Sequence, residues 1–152
     1  MNICMIGTGY VGLVSGACFA DLGNTVHCVD NDEVKIDMLN GGEIPIYEPG
    51  LSEIVNKNHL SNRLKFTTSL NSAVKLADII FICVGTPTSK KNKSADLQYV
   101  YKVAHDISYH INKFKIIVTK STVPVSTGDK IEKIILRKKI VFRLHKGDLK
   151  TF

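Results

Sequence analysis

Residues 2–14 read NICMIGTGYVGLV, and this stretch decides the fold. The apolar run at 2–6 ends at Gly7, which is typical of a buried parallel strand that leads into a tight turn. From Tyr10 onward, apolar residues recur at helical spacing, with small residues between them that would let a helix lie close to a sheet. The apolar residues on this predicted face are Val11, Val14, Cys18 and Leu22. The segment therefore predicts a strand, a glycine turn and a helix in succession.

The same alternation continues along the chain. Apolar runs predict further strands at 25–29, 64–68, 78–84 and 115–119. Helical spacing with capping and stop residues predicts helices at 10–22, from Asn31 or Asp32 to Leu39, and at 51–57, 70–76, 95–111 and 126–136. Prolines place 43–50 in a loop, and 85–93 is a second loop with Lys90, Lys91 and Lys93 in solvent. The alternation predicts an α/β fold, a Rossmann-like doubly wound parallel sheet with helices on both faces.

The glycines of the first turn have the G-x-G-x-x-G spacing at Gly7, Gly9 and Gly12. Gly7 permits the tight turn, Gly9 lets the backbone approach a pyrophosphate, and Gly12 allows close packing of helix on strand. The helix N-terminus would offer free N–H groups and a partial positive charge to the phosphates. Because the motif follows a strand and opens a helix, it predicts a dinucleotide site.

Asp30 ends the second predicted strand. A carboxylate there accepts hydrogen bonds from ribose hydroxyls and repels an additional phosphate, so we expect NAD rather than NADP. The alternative is a glycine-rich turn followed by an unrelated acid.

Two more strand ends carry hydroxyl side chains. Gly85-Thr86-Pro87 follows the fourth predicted strand, and residues 120–125, KSTVPV, follow the fifth. Because ligands bind beyond the carboxyl ends of such strands, both segments are candidates for the nicotinamide side of the site. The alternative is that Ser, Thr and Pro only form turns here.

Six motifs in order resemble the UDP-glucose/GDP-mannose dehydrogenase family. They are residues 5–14, Val29-Asp30, residues 42–51 (GEIPIYEPGL), residues 84–87, Ala95-Asp96-Leu97 and residues 120–125. The resemblance runs from Met1 to about Ile140, which predicts a domain at 1–140 followed by a basic tail at 141–152. The stretch at 42–51 leans toward the members that act on UDP-glucose, with GDP-mannose and UDP-N-acetylmannosamine as open alternatives.

The resemblance implies roles for matching residues. Gly7, Gly9, Tyr10, Val11 and Gly12 would hold the NAD pyrophosphate region, and Asp30 and Lys35 would contact the adenosine ribose. Thr86 would lie on the cofactor. Thr122 would contact the cofactor and position water or sugar, and it is the one candidate catalytic residue. The loop at 48–51 would border the cofactor site. Ser126 stands where the family often has glycine, and as a good N-cap residue it should be tolerated.

The resemblance also implies an enzymatic activity. This chain lacks residues that the activity would need. Family members oxidise a sugar alcohol twice through a thioester, which needs a thiolate nucleophile. In the family that thiol lies in a Gly-Gly-x-Cys motif further along, and none of the four cysteines here matches it. We therefore expect an N-terminal fragment with marginal stability and exposed apolar surface. It would bind NAD, act on a nucleotide sugar only within a larger protein, and not form the family's homo-oligomer. A non-catalytic relic is the alternative.

Composition sets further limits. Six of the basic residues lie at 137–152 against one acid, which accounts for five of the six net positive charges. A basic tail rather than a basic face is predicted, so we expect no nucleic-acid partner. No run approaches the roughly 20 apolar residues of a membrane span, and no signal peptide is visible, so we expect a cytoplasmic protein without a membrane partner.

The cysteines show no metal-ligand spacing. Cys4, Cys18, Cys28 and Cys83 form no Cys-x-x-Cys pair, and we expect no metal site. Free cysteine behaves as a small hydrophobe, so all four are predicted to be buried, reduced and structural.

Overall fold

The computed structural model describes residues 1–89 and 94–137. Within these residues, five parallel strands form one sheet in the order β3-β2-β1-β4-β5. The strands are β1 (Asn2–Ile6), β2 (Thr25–Val29), β3 (Leu64–Thr67), β4 (Ile79–Ile82) and β5 (Ile116–Thr119). The chain adds strands in one direction from β1 to β3 and in the other from β4 to β5, so a topological switch point lies between β1 and β4.

In the described part of the chain, six helices cover the two faces of this sheet. They are α1 (Tyr10–Asp21), α2 (Glu33–Asn40), α3 (Leu51–Leu60), α4 (Leu70–Leu76), α5 (Gln98–His110) and α6 (Thr127–Leu136). Residues of α1, α2 and α3 share one apolar core, and residues of α4, α5 and α6 share the other. The predicted doubly wound α/β fold is confirmed.

Strand β1 shows how the two cores form. Ile3 and Met5 face the first core, whereas Cys4 and Ile6 face the second. This alternation follows from the two-residue period of a strand. In the register of the sheet, Cys4 lies between His27 of β2 and Ile80 of β4, so β1 is buried on both faces and both edges.

Helix α1 packs through its smallest residues, not through the predicted apolar face. Its buried residues are Gly12, Leu13, Gly16, Ala17 and Ala20, whereas Val11, Cys18 and the following Leu22 are exposed. A Cβ atom on Gly16 would lie 2.7 Å from the Cys28 sulfur. The prediction that small residues let this helix lie close to the sheet is confirmed, and Leu13 is buried beside them. The expected burial of Val11, Cys18 and Leu22 was wrong, and of the predicted apolar positions only Val14 packs on the core.

The same helix corrects the prediction for the cysteines. Cys4, Cys28 and Cys83 are buried as expected, but Cys18 is exposed on the outer side of α1. All four are free thiols. Burial raises the pKa of the Cys4 thiol to about 12 and that of Cys83 to about 11, and it also raises the pKa of Cys28.

Two helix boundaries differ from the predicted ones by more than one residue. Helix α3 continues to Leu60 instead of ending at residue 57. Helix α5 begins at Gln98 instead of residue 95, because residues 94–96 close the preceding loop: Ala95 pairs with Thr88, and the Asp96 amide donates to the Pro87 carbonyl. The Asp96 carboxylate then accepts a hydrogen bond from the Gln98 backbone N–H at 3.0 Å.

Helix α6 begins in an unexpected conformation. Ser126 is its N-cap residue but has φ +73°, and its side chain makes no capping hydrogen bond. The prediction that serine suits this position as a cap was wrong. The left-handed region favours glycine, so the residue carries backbone strain.

Strand β5 forms one outer edge of the described sheet. Ile116 and the nearby Phe114 are exposed, and so is Val125 before α6. Among residues 1–89 and 94–137, no helix is both long and apolar enough to cross a membrane. The predicted lysines at 90, 91 and 93 and the predicted tail at 141–152 lie outside the described residues.

Candidate functional site

The glycine turn between β1 and α1 forms as its spacing predicts. Gly7 has φ +102°, and a Cβ atom there would lie 2.8 Å from the Cys83 carbonyl oxygen. A Cβ on Gly12 would overlap the Gly7 carbonyl oxygen. Gly9 caps α1 and has open space around the position of a Cβ, so a ligand can approach its backbone.

Asp30 lies directly beside this turn. The Thr8 backbone N–H donates to Asp30 Oδ2 at 2.8 Å, and the Thr8 hydroxyl donates to the same oxygen at 2.7 Å. The Asp32 N–H donates to Oδ1 at 3.2 Å, and Lys35 Nζ lies 3.4 Å from Oδ2. Three donors therefore converge on one carboxylate oxygen, while Oδ1 keeps acceptor capacity for a ligand.

The net effect of these contacts is to keep Asp30 ionised. Burial raises the pKa of the carboxyl group, but the two Thr8 hydrogen bonds, the Asp32 N–H and the Lys35 charge together lower it below its usual value. Asp30 thus presents a fixed negative charge at the end of β2, where it can accept from hydroxyl groups and disfavours a phosphate.

A cleft of about 490 Å³ opens in front of Asp30. Its lining includes the glycine turn, the ends of β2 and β4, and one face of α5. We call it the first cleft, and its polar lining residues include Asp30, Lys35, Thr68, Lys102 and Asp106. It lies at the switch point of the sheet, which is the usual ligand position in such folds.

A second cleft of about 250 Å³ lies on the other side of the turn. Its lining residues are Gly9, Tyr10, Val11, Cys83, Val84, Gly85, Thr86, Lys120, Ser121 and Thr122. The Thr86 hydroxyl donates to the Thr122 carbonyl at 3.1 Å, and the Ser121 hydroxyl donates to the Val84 carbonyl at 2.7 Å. These bonds join the segments that follow β4 and β5 into one wall.

The two clefts divide the predicted site residues between them. Gly7, Asp30 and Lys35 line the first cleft, Tyr10, Val11, Thr86 and Thr122 line the second, and Gly9 lines both. Gly12 lines neither, because it is buried in the turn where it allows the close packing. The loop at 48–51, which was expected to border the site, lines neither cleft, and its neighbours Ile44 and Ile46 pack on the first core.

Several site residues could not be recognised in the sequence. Thr8 is the variable residue of the glycine motif, yet it is buried and holds Asp30. Tyr99, Lys102 and Asp106 lie on one face of α5 and line the first cleft. Their spacing marks a helical face, but no local signal shows that this face lies opposite Asp30.

The glycine turn, the fixed carboxylate and the two clefts at the switch point define a dinucleotide-binding Rossmann domain. A sequence profile of the UDP-glucose/GDP-mannose dehydrogenase family, NAD binding domain, matches residues 1–147. The chain belongs to this family, which confirms the predicted family and identifies NAD as the cofactor.

Individual relatives agree with this assignment. The UDP-glucose 6-dehydrogenase of Rhizobium meliloti is 56% identical over 135 residues, which are 89% of this chain. A UDP-glucose dehydrogenase structure from Pyrobaculum islandicum has a TM-score of 0.85 at 36% identity and covers 90% of this chain. A GDP-mannose dehydrogenase from Pseudomonas aeruginosa has a TM-score of 0.81 at 37% identity and covers 91%.

This chain is much shorter than those proteins. The match covers 31% of the Rhizobium meliloti protein, 32% of the Pyrobaculum islandicum chain and 31% of the Pseudomonas aeruginosa chain.

Proposed function

We propose that this chain is the NAD-binding part of a UDP-glucose 6-dehydrogenase, which oxidises UDP-glucose to UDP-glucuronate with two NAD. The observation that carries the proposal is the Asp30 carboxylate, held at the glycine turn by Thr8 and facing the first cleft. Asp30 and Lys35 would contact the adenosine ribose. The pyrophosphate would cross the turn at Gly7 and Gly9 and meet the first N–H groups of α1 at Tyr10 and Val11.

The second cleft would then take the nicotinamide end. Thr86 would lie along the cofactor, where its hydroxyl bond to the Thr122 carbonyl fixes both segments. The Thr122 side chain is exposed and lines the cleft, so its hydroxyl would position water or the sugar alcohol. Thr122 is thus a positioning residue at the junction of cofactor and substrate.

The burial and positions of the four cysteines bear on whether this chain alone could oxidise UDP-glucose. A thioester mechanism needs a thiolate, but Cys83, which borders both clefts, has a thiol pKa raised by burial to about 11. Cys4 and Cys28 are buried in the cores, and Cys18 lines neither cleft. We therefore propose that this chain alone binds NAD and does not oxidise UDP-glucose. NADH formation from UDP-glucose by the chain alone would contradict this.

The choice of UDP-glucose rests on the degree of identity. The UDP-glucose 6-dehydrogenases of Rhizobium meliloti and Bacillus subtilis are both 56% identical to this chain, over 135 and 134 residues. A GDP-mannose or UDP-N-acetylmannosamine dehydrogenase is the second candidate. We also place the protein in the cytoplasm, since four free thiols suit a reducing compartment.

Calorimetric titration with NAD tests the cofactor site. Asp30→Asn is the informative variant, because Asp30→Ala would leave the buried Thr8 N–H without a partner and destabilise the turn. The asparagine oxygen can still accept from Thr8, but the charge is lost. We expect saturable binding by the wild type and about tenfold weaker binding by Asp30→Asn.

The matched control is Asp37→Asn on α2, which removes the same charge from an exposed residue that lines neither cleft. It should bind NAD as the wild type does. Absence of NAD binding by a chain whose circular dichroism shows it to be folded would overturn the proposal.

A further inference from the structure

The first cleft contains a carboxylate that the placement of NAD described above does not use. Asp106 lies on α5, is half-buried and lines the cleft. Within residues 1–89 and 94–137 its side chain makes no hydrogen bond or ion pair. Even Lys102, one helical turn earlier and also lining the cleft, is not ion-paired with it. An unpaired carboxylate that lines a ligand cleft has its acceptor capacity free for a donor group of the ligand.

The surroundings of Asp106 fit a flat heterocycle. Leu70 at the start of α4 and Val103 on α5 also line the cleft, and both are partly buried against the second core. They provide apolar surface near the carboxylate. A purine base has apolar faces and a polar edge, so it matches walls of this kind with an acceptor at the rim.

The position of the ribose decides which part of NAD reaches this region. Asp30 fixes the adenosine ribose, and the glycine turn takes the pyrophosphate on one side of it. The base is attached to the other side of the ribose and must point away from Gly9. The lining residues that remain include Leu70 of α4 and Tyr99, Lys102, Val103 and Asp106 of α5, and these two helices pack against each other.

We propose that Asp106 recognises the adenine of NAD by accepting a hydrogen bond from its exocyclic amino group. Leu70 and Val103 contact the faces of the ring. The inference rests on NAD occupying the first cleft, and it adds a residue that selects adenine over other purines. Hypoxanthine carries a carbonyl oxygen in place of the amino group, and that oxygen would face the carboxylate as a second acceptor.

The test compares NAD with nicotinamide hypoxanthine dinucleotide in calorimetric titrations of the full chain. We expect the wild type to bind NAD about tenfold more tightly than the hypoxanthine analogue. In Asp106→Ala the affinity for NAD should fall by about tenfold, and the ratio between the two dinucleotides should approach one. Asp37→Ala, which removes a carboxylate outside both clefts, should leave both affinities and their ratio unchanged.

Thermal unfolding separates a ligand role from a structural one. Because Asp106 has no partner in the described protein and alanine is a better helix former, Asp106→Ala should unfold at the wild-type temperature or above it. The inference would be overturned if the wild type bound the two dinucleotides equally. It would also be overturned if Asp106→Ala kept the wild-type ratio of the two affinities. Neither result would contradict NAD binding itself. Loss of NAD binding by the wild type itself would instead contradict the proposed cofactor site.

Discussion

At the scale of single residues, the Asp30 carboxylate both stabilises the glycine turn and offers an acceptor to a ligand. Its Oδ2 holds the glycine turn through both donors of Thr8, and its Oδ1 retains capacity for a ligand. The glycine turn and the acid proposed to bind the ribose are therefore structurally joined through Thr8. A change at Asp30 should affect the free energy of unfolding as well as NAD affinity.

The pH dependence of the free energy of unfolding should show that Asp30 stabilises the glycine turn. Since the folded pKa of Asp30 is lowered, its contribution to stability is present above the ordinary aspartate value of about 3.9 and is lost as the pH falls through the folded pKa. We expect Asp30→Asn to be less stable than the wild type by about 1–3 kcal/mol at neutral pH. The difference should shrink in acid, as chemical denaturation at a series of pH values would measure. A difference that stays constant below the ordinary aspartate value would contradict the argument.

At the scale of elements, local backbone geometry decides how a helix begins. Helix α1 begins at a glycine with open space around it, whereas α6 begins at Ser126 in the left-handed region. The serine hydroxyl makes no capping bond, so the Ser126 side chain does not offset the strain.

Replacement of Ser126 by glycine should therefore stabilise the domain. Removing the left-handed strain gains roughly 1–2 kcal/mol, from which the larger entropy loss of glycine subtracts about 0.5–1 kcal/mol. We expect Ser126→Gly to raise the free energy of unfolding by up to about 1.5 kcal/mol. Ser126→Ala keeps the strain and should stay near the wild type. Equal stability of all three proteins in denaturant titrations would show that Ser126 is not strained.

At the scale of the whole molecule, the domain matches proteins about three times its length. The exposed Ile116, Phe114 and Val125 lie at or near its β5 edge. The thioester mechanism that the resemblance implies would need a thiolate, whereas Cys83, the cysteine that lines both clefts, has a thiol pKa raised by burial to about 11. Activity is thus a property to test in the context of a full-length relative.

A chimera tests whether the cofactor domain is functional in that context. Residues 1–136 would replace the matching part of the Rhizobium meliloti UDP-glucose 6-dehydrogenase, which is 56% identical to this chain. We expect NADH formation from UDP-glucose, with Asp30→Asn raising the KM for NAD by about tenfold. A folded but inactive chimera would favour the alternative that the chain is a relic.

The sequence alone determined the fold class, the family, the cofactor and the order of the elements. Apolar periodicity, the glycine spacing and the acid after β2 are local signals, and each reflects a local physical need. Tertiary structure decided the rest. It buried the small face of α1 instead of Val11 and Cys18, since the helix lies close to the sheet. It joined Thr8 to Asp30, and it brought Asp106 into the first cleft. Such contacts join residues far apart in the chain, and only the packing of helices on the sheet fixes which of them meet.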